Sequence, residues 1–237
     1  MNIYEHSFEV QYADLDTENK LSVYSFFKYF QEMGCLHAAS LGYGINDIPR
    51  TGFAWILLDW KVQIFNYPKW NDKINIKTWP SKAELASCFR DFEMYNENGE
   101  KIAIATSRWV FFDVNKKRIS KLTEEVSRAF TIVDKRVFNT EIAKLEDPAG
   151  STFAIDYTVL KRDIDTNLHV NNLNYISIAL EALPVEMPKC PTIEVMYKKQ
   201  CILGDKIKCF YKKEETSNIV TIKSEDLGSL HAIAKFL

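Results

Sequence analysis

Apolar residues at Val23, Phe26, Phe27, Phe30 and Met33 recur at the three-and-four spacing of an α-helix, and Gly42 and Gly44 mark the region where it must end. The run is apolar nearly all round, which predicts deep burial. Ahead of it, Tyr4 to Tyr12 alternates as a strand does. Behind it the period changes to two, with strands expected near 53–66, 72–84, 88–97 and 101–114 and turns at Tyr67-Pro68 and Asn96-Glu97-Asn98-Gly99. A second helix is predicted over 172–183 from Leu173, Ile176, Leu180 and Leu183, with Asn171 or Asn172 as its cap and Pro184 as its stop. Strands near 192–202, 206–213, 218–225 and 229–237 follow, broken at Leu203-Gly204-Asp205 and Leu227-Gly228.

The order repeats, and so do residues at its joints. At an offset of 149 positions (163 minus 14), Asp14 meets Asp163, Asp16 meets Asp165, Thr17 meets Thr166, and Ser22 meets Asn171 at the head of a helix. At an offset of 133 (204 minus 71), Asn71-Asp72-Lys73-Ile74 meets Gly204-Asp205-Lys206-Ile207, the second copy being shorter after its helix. A charge-rich stretch from Lys121, closing on Asp147-Pro148-Ala149-Gly150, suits a crossing segment. The expectation is an α+β chain with a first domain over 1–128, a linker over 129–150 and a second domain over 151–237. Each domain would wrap one long buried helix in an antiparallel sheet.

At 237 residues with 46% hydrophobic content, the chain can bury a substantial core. A formal charge of -2 with mixed signs throughout argues against nucleic acid as partner. The 5 cysteines include no C-x-x-C pair, which points to free thiols in a reducing compartment and to no structural zinc. The first residues read as an acidic strand, not a leader, and no apolar run is long enough to span a bilayer, so a cytoplasmic location is expected.

Candidate chemistry gathers ahead of the second helix. Asp163, Asp165, Asn167 and His169 stand at alternate positions and would share one side of a locally extended loop. Of the four histidines, His6, His37, His169 and His231, only His169 lies in such a polar cluster. It suits a base or proton shuttle, with Asp165 to orient it or Asn167, and Asn167 to position water or donate to a carbonyl. Unpaired amides in the first turn of the helix offer an oxyanion site. The plain alternative for Asp165 and Asn167 is turn formation. In the first copy Glu18 and Lys20 stand where Asn167 and His169 stand in the second, so that copy should lack the chemistry.

The stretch Asp165-Thr166-Asn167-Leu168-His169-Val170-Asn171-Asn172-Leu173-Asn174-Tyr175-Ile176 resembles the signature Asp-x-Asn-x-His-Val-Asn-Asn-x-x-Tyr-Ile of the acyl-acyl-carrier-protein (acyl-ACP) thioesterases of plants and bacteria. Arg90-Asp91-Phe92 through Gly99, then Ala105 to Val110, then Arg118 to Val126 are similar to that family's first domain and linker. The resemblance covers nearly the whole chain and implies two tandem hotdog domains. It also implies hydrolysis of fatty acyl-ACP thioesters to free fatty acid and holo-ACP, with acyl carrier protein as partner and neither cofactor nor metal. A homodimer remains open, since sheets of neighbouring copies can extend one another.

By the same resemblance the first domain chooses chain length, with Phe26, Phe27, Phe30 and Trp55 as lining residues or simply as core. Cys201 follows Gln200 on an expected strand, where the family carries a Glu-Cys pair. The family supplies two accounts of catalysis: a cysteine nucleophile in a Cys-His-Asn arrangement, or a glutamate working with Asp, Asn and His on water. Gln200 cannot act as a base, so the second does not transfer unchanged. The expected catalytic set is therefore Asp165, Asn167 and His169, with Cys201 either participating or packing as a small buried hydrophobe. An acyl-CoA thioesterase, a hotdog dehydratase and a non-catalytic acyl-binding protein are the rival readings. Acyl carrier proteins are acidic, so Lys116-Lys117-Arg118 with Lys121, Lys161-Arg162 and Lys198-Lys199 are candidate docking runs.

Overall fold

The computed structural model describes residues 3–237, so the first two positions of the expected first domain lie outside the described residues. The chain forms two compact units, one running to Leu58 and from Val62 to Glu141, the other comprising Asp59–Lys61 and Ile142–Leu237. In the first, strand β1 (Tyr4–Glu9) precedes helix α1 (Val23–Ser40) and the short turn α2 (Ile48–Thr51). Strands β2 (Phe53–Ile64), β3 (Lys73–Glu84), β4 (Ser87–Asn96), β5 (Lys101–Asp113) and β6 (Arg118–Ile119) and helix α3 (Glu124–Ala129) follow. The second carries β7 (Thr152–Thr158), α4 (Asn172–Glu181), β8 (Thr192–Tyr197), β9 (Lys206–Lys213), β10 (Asn218–Ser224) and β11 (Leu230–Phe236).

Strand order is β1-β3-β4-β5-β2 in the first unit and β7-β9-β10-β11-β8 in the second, the same path walked twice. α1 is capped by Ser22, whose side chain accepts the Ser25 N–H. Its Phe26, Phe27, Phe30 and Met33 are fully buried, and Phe30 meets Phe92 of β4 with ring centroids 5.3 Å apart. The apolar stripe of the helix therefore lies on the inner face of the sheet. α4 is capped by Asn171, which accepts from Leu173 N–H, and buries Leu173, Tyr175, Ile176, Ile178 and Ala179.

The segment after α3 is tied down. Val133 N–H donates to Pro80 O at 2.9 Å, Trp79 Nε1 to Lys135 O at 2.8 Å, and Val137 N–H to the Asp91 carboxylate at 3.0 Å. Trp79, Asp91 and Glu93 alternate with Thr78, Arg90 and Phe92, so this strap covers the face of β3 and β4 opposite α1. In the second unit Leu145 packs with Met196, Ile219 and Ile233, and Lys223 pairs with Asp147 at 2.6 Å.

Two local expectations are corrected. The loop carrying Asp163 to His169 is not extended. It is a tight hairpin closed by an Ile164–Val170 bridge and by Asp165 N–H on His169 O at 2.8 Å, with Leu168 in the left-handed region at φ 63°. The residues from 198 to 202 are not strand: β8 stops at Tyr197, leaving Gln200 and Cys201 in the connection to β9. The physical reason is competition for backbone groups. Tyr175 takes the Cys201 N–H, and Asp205 takes the Ile202 N–H at the turn where Gly204 sits at φ 87°.

Candidate active site

The hairpin ahead of each helix is built twice on the same bonds. In the second unit the buried Asp163 carboxylate accepts from Tyr157 Oη at 2.8 Å and Leu160 N–H at 2.7 Å, and its carbonyl accepts from Asn171 N–H at 2.8 Å. In the first, Asp14 accepts from Tyr29 Oη and Lys28 Nζ at 2.6 Å each, and its carbonyl from Ser22 N–H at 2.9 Å. Burial pushes the Asp14 carboxyl up, but the bonds from Lys28 and Tyr29 outweigh it and hold the group below its ordinary value. These aspartates are the pegs from which the hairpins hang. Asp163 is turned inward and is no part of the exposed polar cluster.

Asp165 has a structural task visible in both copies. Its Oδ1 accepts the Asn167 N–H at 2.7 Å, as Asp16 Oδ1 accepts the Glu18 N–H at 2.9 Å. What differs between the copies lies at the next alternate positions. Lys20 and Glu18 pair with one another in the first unit. In the second, Asn167 is exposed and His169 half-buried, with its Nδ1 buried and without a hydrogen-bond partner among the described residues.

Cys201 reaches this loop through its backbone. Its carbonyl accepts the Val170 N–H at 2.9 Å, one residue past His169, while its own N–H donates to Tyr175 Oη at 2.8 Å. The thiol is fully buried, and burial pushes it up to about 11 despite an opposing hydrogen bond from Tyr175. Burial and the same contact hold the Tyr175 phenol far above its ordinary value. Gln200 is exposed. At the start of α4 two of the expected amide donors are already engaged, Leu173 by Asn171 Oδ1 at 3.0 Å and Asn174 by Asn171 O at 2.8 Å.

Tyr175 is the site residue that sequence reasoning passed over, yet the duplication signals it. In the first unit Leu21 N–H donates to Pro68 O at 2.8 Å, the counterpart of Val170 on Cys201. At the Tyr175 position, offset by 149, stands Phe26. Pro68 has no N–H to satisfy and Phe26 no hydroxyl to satisfy it. Both members of the pair change together, as the cost of an orphaned buried donor requires.

Arg90 and His37 form a second buried polar group, inside the first unit. Arg90 Nη1 lies 2.7 Å from His37 Nδ1 and 3.2 Å from Thr78 Oγ1. Burial, then the guanidinium, push His37 down to about 3, while burial brings Arg90 to about 10. Trp55 packs with Phe111 and Phe130 near Ala38, toward the far end of α1. Among the described residues no group of three or more His, Cys, Asp or Glu side chains is placed to hold a metal ion, and no helix is long and apolar enough to cross a membrane.

Family models covering most of the chain give its family. Residues 1–130 match the acyl-ACP thioesterase N-terminal domain and residues 146–235 the acyl-ACP thioesterase C-terminal domain. Oleoyl-acyl carrier protein thioesterase 1, chloroplastic, of Arabidopsis thaliana is 27% identical over 223 residues, which is 85% of this chain and 61% of that relative's own length. The chain thus spans well short of that relative's full length. A crystal structure of an acyl-ACP thioesterase from Bacteroides thetaiotaomicron superposes with a TM-score of 0.89 at 20% identity, covering 100% of this chain and 97% of the other. The 12:0-ACP thioesterase from Umbellularia californica gives 0.83 at 20% identity, covering 100% and 96%. At such identities the structures speak to the fold alone, and that fold is the tandem hotdog.

Proposed function

The chain belongs to the acyl-ACP thioesterase family, and from that premise we propose that it hydrolyses fatty acyl-ACP thioesters to free fatty acid and holo-ACP, ending chain elongation. The observation that carries the reading is the contrast between the two hairpins. One scaffold is built twice, and only the second copy presents an amide and an imidazole where the first has a self-neutralising Glu18–Lys20 pair.

In the proposed reaction His169 takes a proton from a water molecule whose oxygen attacks the thioester carbon. The carbonyl oxygen becomes an oxyanion, stabilised by the exposed Asn167 amide as hydrogen-bond donor. Collapse of the tetrahedral intermediate breaks the C–S bond, and the proton on His169 passes to the departing thiolate of the carrier's arm. Asp165 shapes the hairpin that presents Asn167, and Cys201 braces the hairpin arm beyond His169 through its backbone. Water is preferred to the Cys201 thiol as nucleophile because a fully buried thiol pushed to about 11 is almost wholly protonated at neutral pH.

The test is fatty acid release from a panel of acyl-ACP and acyl-CoA thioesters of graded chain length, with His169→Ala as control. Turnover of the carrier-protein series that collapses in the variant supports the reading. Equal rates for parent and variant, or turnover of coenzyme A thioesters alone, would sink it. The panel also reports which chain the first unit accepts.

A further inference from the structure

Around the His169 hairpin the second unit exposes apolar side chains that its scaffold does not need. Leu160, Leu168, Ile202 and Leu203 are 43%, 75%, 53% and 52% exposed. They sit on three loops laced together by Gly204 N–H on Val159 O at 3.1 Å, Val159 N–H on Asp205 O at 2.9 Å and Val170 N–H on Cys201 O at 2.9 Å. Lys161 and Arg162 directly follow Leu160, and Lys198 and Lys199 precede Gln200; all four are exposed.

The first unit has the same backbone and a different surface. Where the second has the four apolar residues, the first has Gln11, Asn19, Lys69 and Trp70; where the second has the four cations, the first has Tyr12, Ala13, Phe65 and Asn66. Leu168 is the telling case. It holds φ 63° where the first unit places Asn19 at φ 59°. Asparagine tolerates the left-handed region and leucine does not, so an exposed leucine there carries a backbone cost with no packing to offset it.

We propose that this face docks the acyl carrier protein. An acidic helical protein would set its carboxylates against Lys161, Arg162, Lys198 and Lys199 and its apolar contact on Leu168, Ile202 and Leu203. Its thioester arm would then enter beside His169. Cations at the rim steer such a partner and fix its orientation, while apolar loop tips supply contact area. The proposal rests on the carrier-protein reading above.

The test compares the charge reversals Lys161→Glu with Arg162→Glu, Lys198→Glu with Lys199→Glu, and the single change Leu168→Asn, which copies the first unit. Each is assayed on an acyl-ACP and on the same acyl chain carried by N-acetylcysteamine, and holo-ACP binding is measured directly at low and high salt. The expected result is a KM for acyl-ACP raised about tenfold or more with kcat kept, weaker and less salt-sensitive holo-ACP binding, and no change on the small thioester. Lys116→Glu with Lys117→Glu, on the first unit, should leave all of these at parental values. An unchanged KM for acyl-ACP, equal losses on both substrates, or dissociation of a dimer with carrier affinity intact would overturn the proposal. If the parent cleaves no carrier thioester yet binds holo-ACP through this face, the hydrolase reading fails and the docking surface survives.

Discussion

The Cys201→Ala variant separates the two chemistries this site can support. The thiol is fully buried and pushed up to about 11, so at pH 7 only about one molecule in ten thousand carries the thiolate that would attack. A mechanism through that sulfur would gain about tenfold in rate per pH unit across most of the alkaline range. Activated water predicts a profile that has levelled off well before pH 11. Alanine keeps both backbone bonds of residue 201, to Val170 and to Tyr175, and removes one methyl-sized group from a packed site, a loss of about 1 kcal/mol in stability. The expected kcat is therefore within about threefold of the parent, a barrier change well under 1 kcal/mol. Fatty acid release should be followed by mass spectrometry, because thiol reagents would also titrate the exposed Cys35 and Cys190. A folded variant that loses about a thousandfold or more, or an acyl adduct trapped on Cys201, would refute the reasoning.

Four further outcomes are expected. His169→Ala should lower kcat by about 100- to 10,000-fold with its melting temperature unchanged; retention of the parental rate removes the base assigned here. Tyr175→Phe orphans the Cys201 N–H and should reduce kcat while KM stays put. Adding Cys201→Pro rebuilds the Phe26–Pro68 pairing of the first unit and should recover activity, and a double variant as slow as the single one contradicts this account. Asp163→Ala deletes two bonds to a buried carboxylate and should destabilise the protein by about 3 kcal/mol in urea unfolding, with under 1 kcal/mol counting against the peg role. His37 is held near 3 when folded and titrates near 6.5 when unfolded, so the unfolded chain binds the extra proton between those values. Its contribution is whole above pH 6.5 and drains as pH falls toward 3, by at most about 1.4 kcal/mol per unit, less where solvent reaches the ring. Parent minus His37→Gln stability, measured across that window, should show the slope, and parallel curves would exclude it.

Much of the architecture was legible before any coordinates because it rests on short-range periodicity. The three-and-four spacing from Val23 and the two-residue alternation behind it report which face each element buries, and burial selects the element. The duplication was legible for the same reason: Asp14 and Asp163 must be aspartates to peg a hairpin, and the Asn71 and Gly204 positions must tolerate positive φ. The shape of the hairpin was not legible. Alternating polar residues look like an extended strand, and only the Ile164–Val170 bridge and the Asp165–His169 backbone bond show that the chain doubles back.

The sequence by itself determined the two-copy scaffold, the helices and sheets that compose it, and which copy's hairpin carries an imidazole. Tertiary structure alone decided the surroundings of Cys201, from which its proposed bracing role is argued. A cysteine is equally at home as nucleophile or as buried filler, and the choice between them turns on desolvation and on a tyrosine 26 residues away in the chain, whose hydroxyl meets its amide. Contacts at that separation leave no periodic trace, because they depend on where two elements cross and not on how either one repeats.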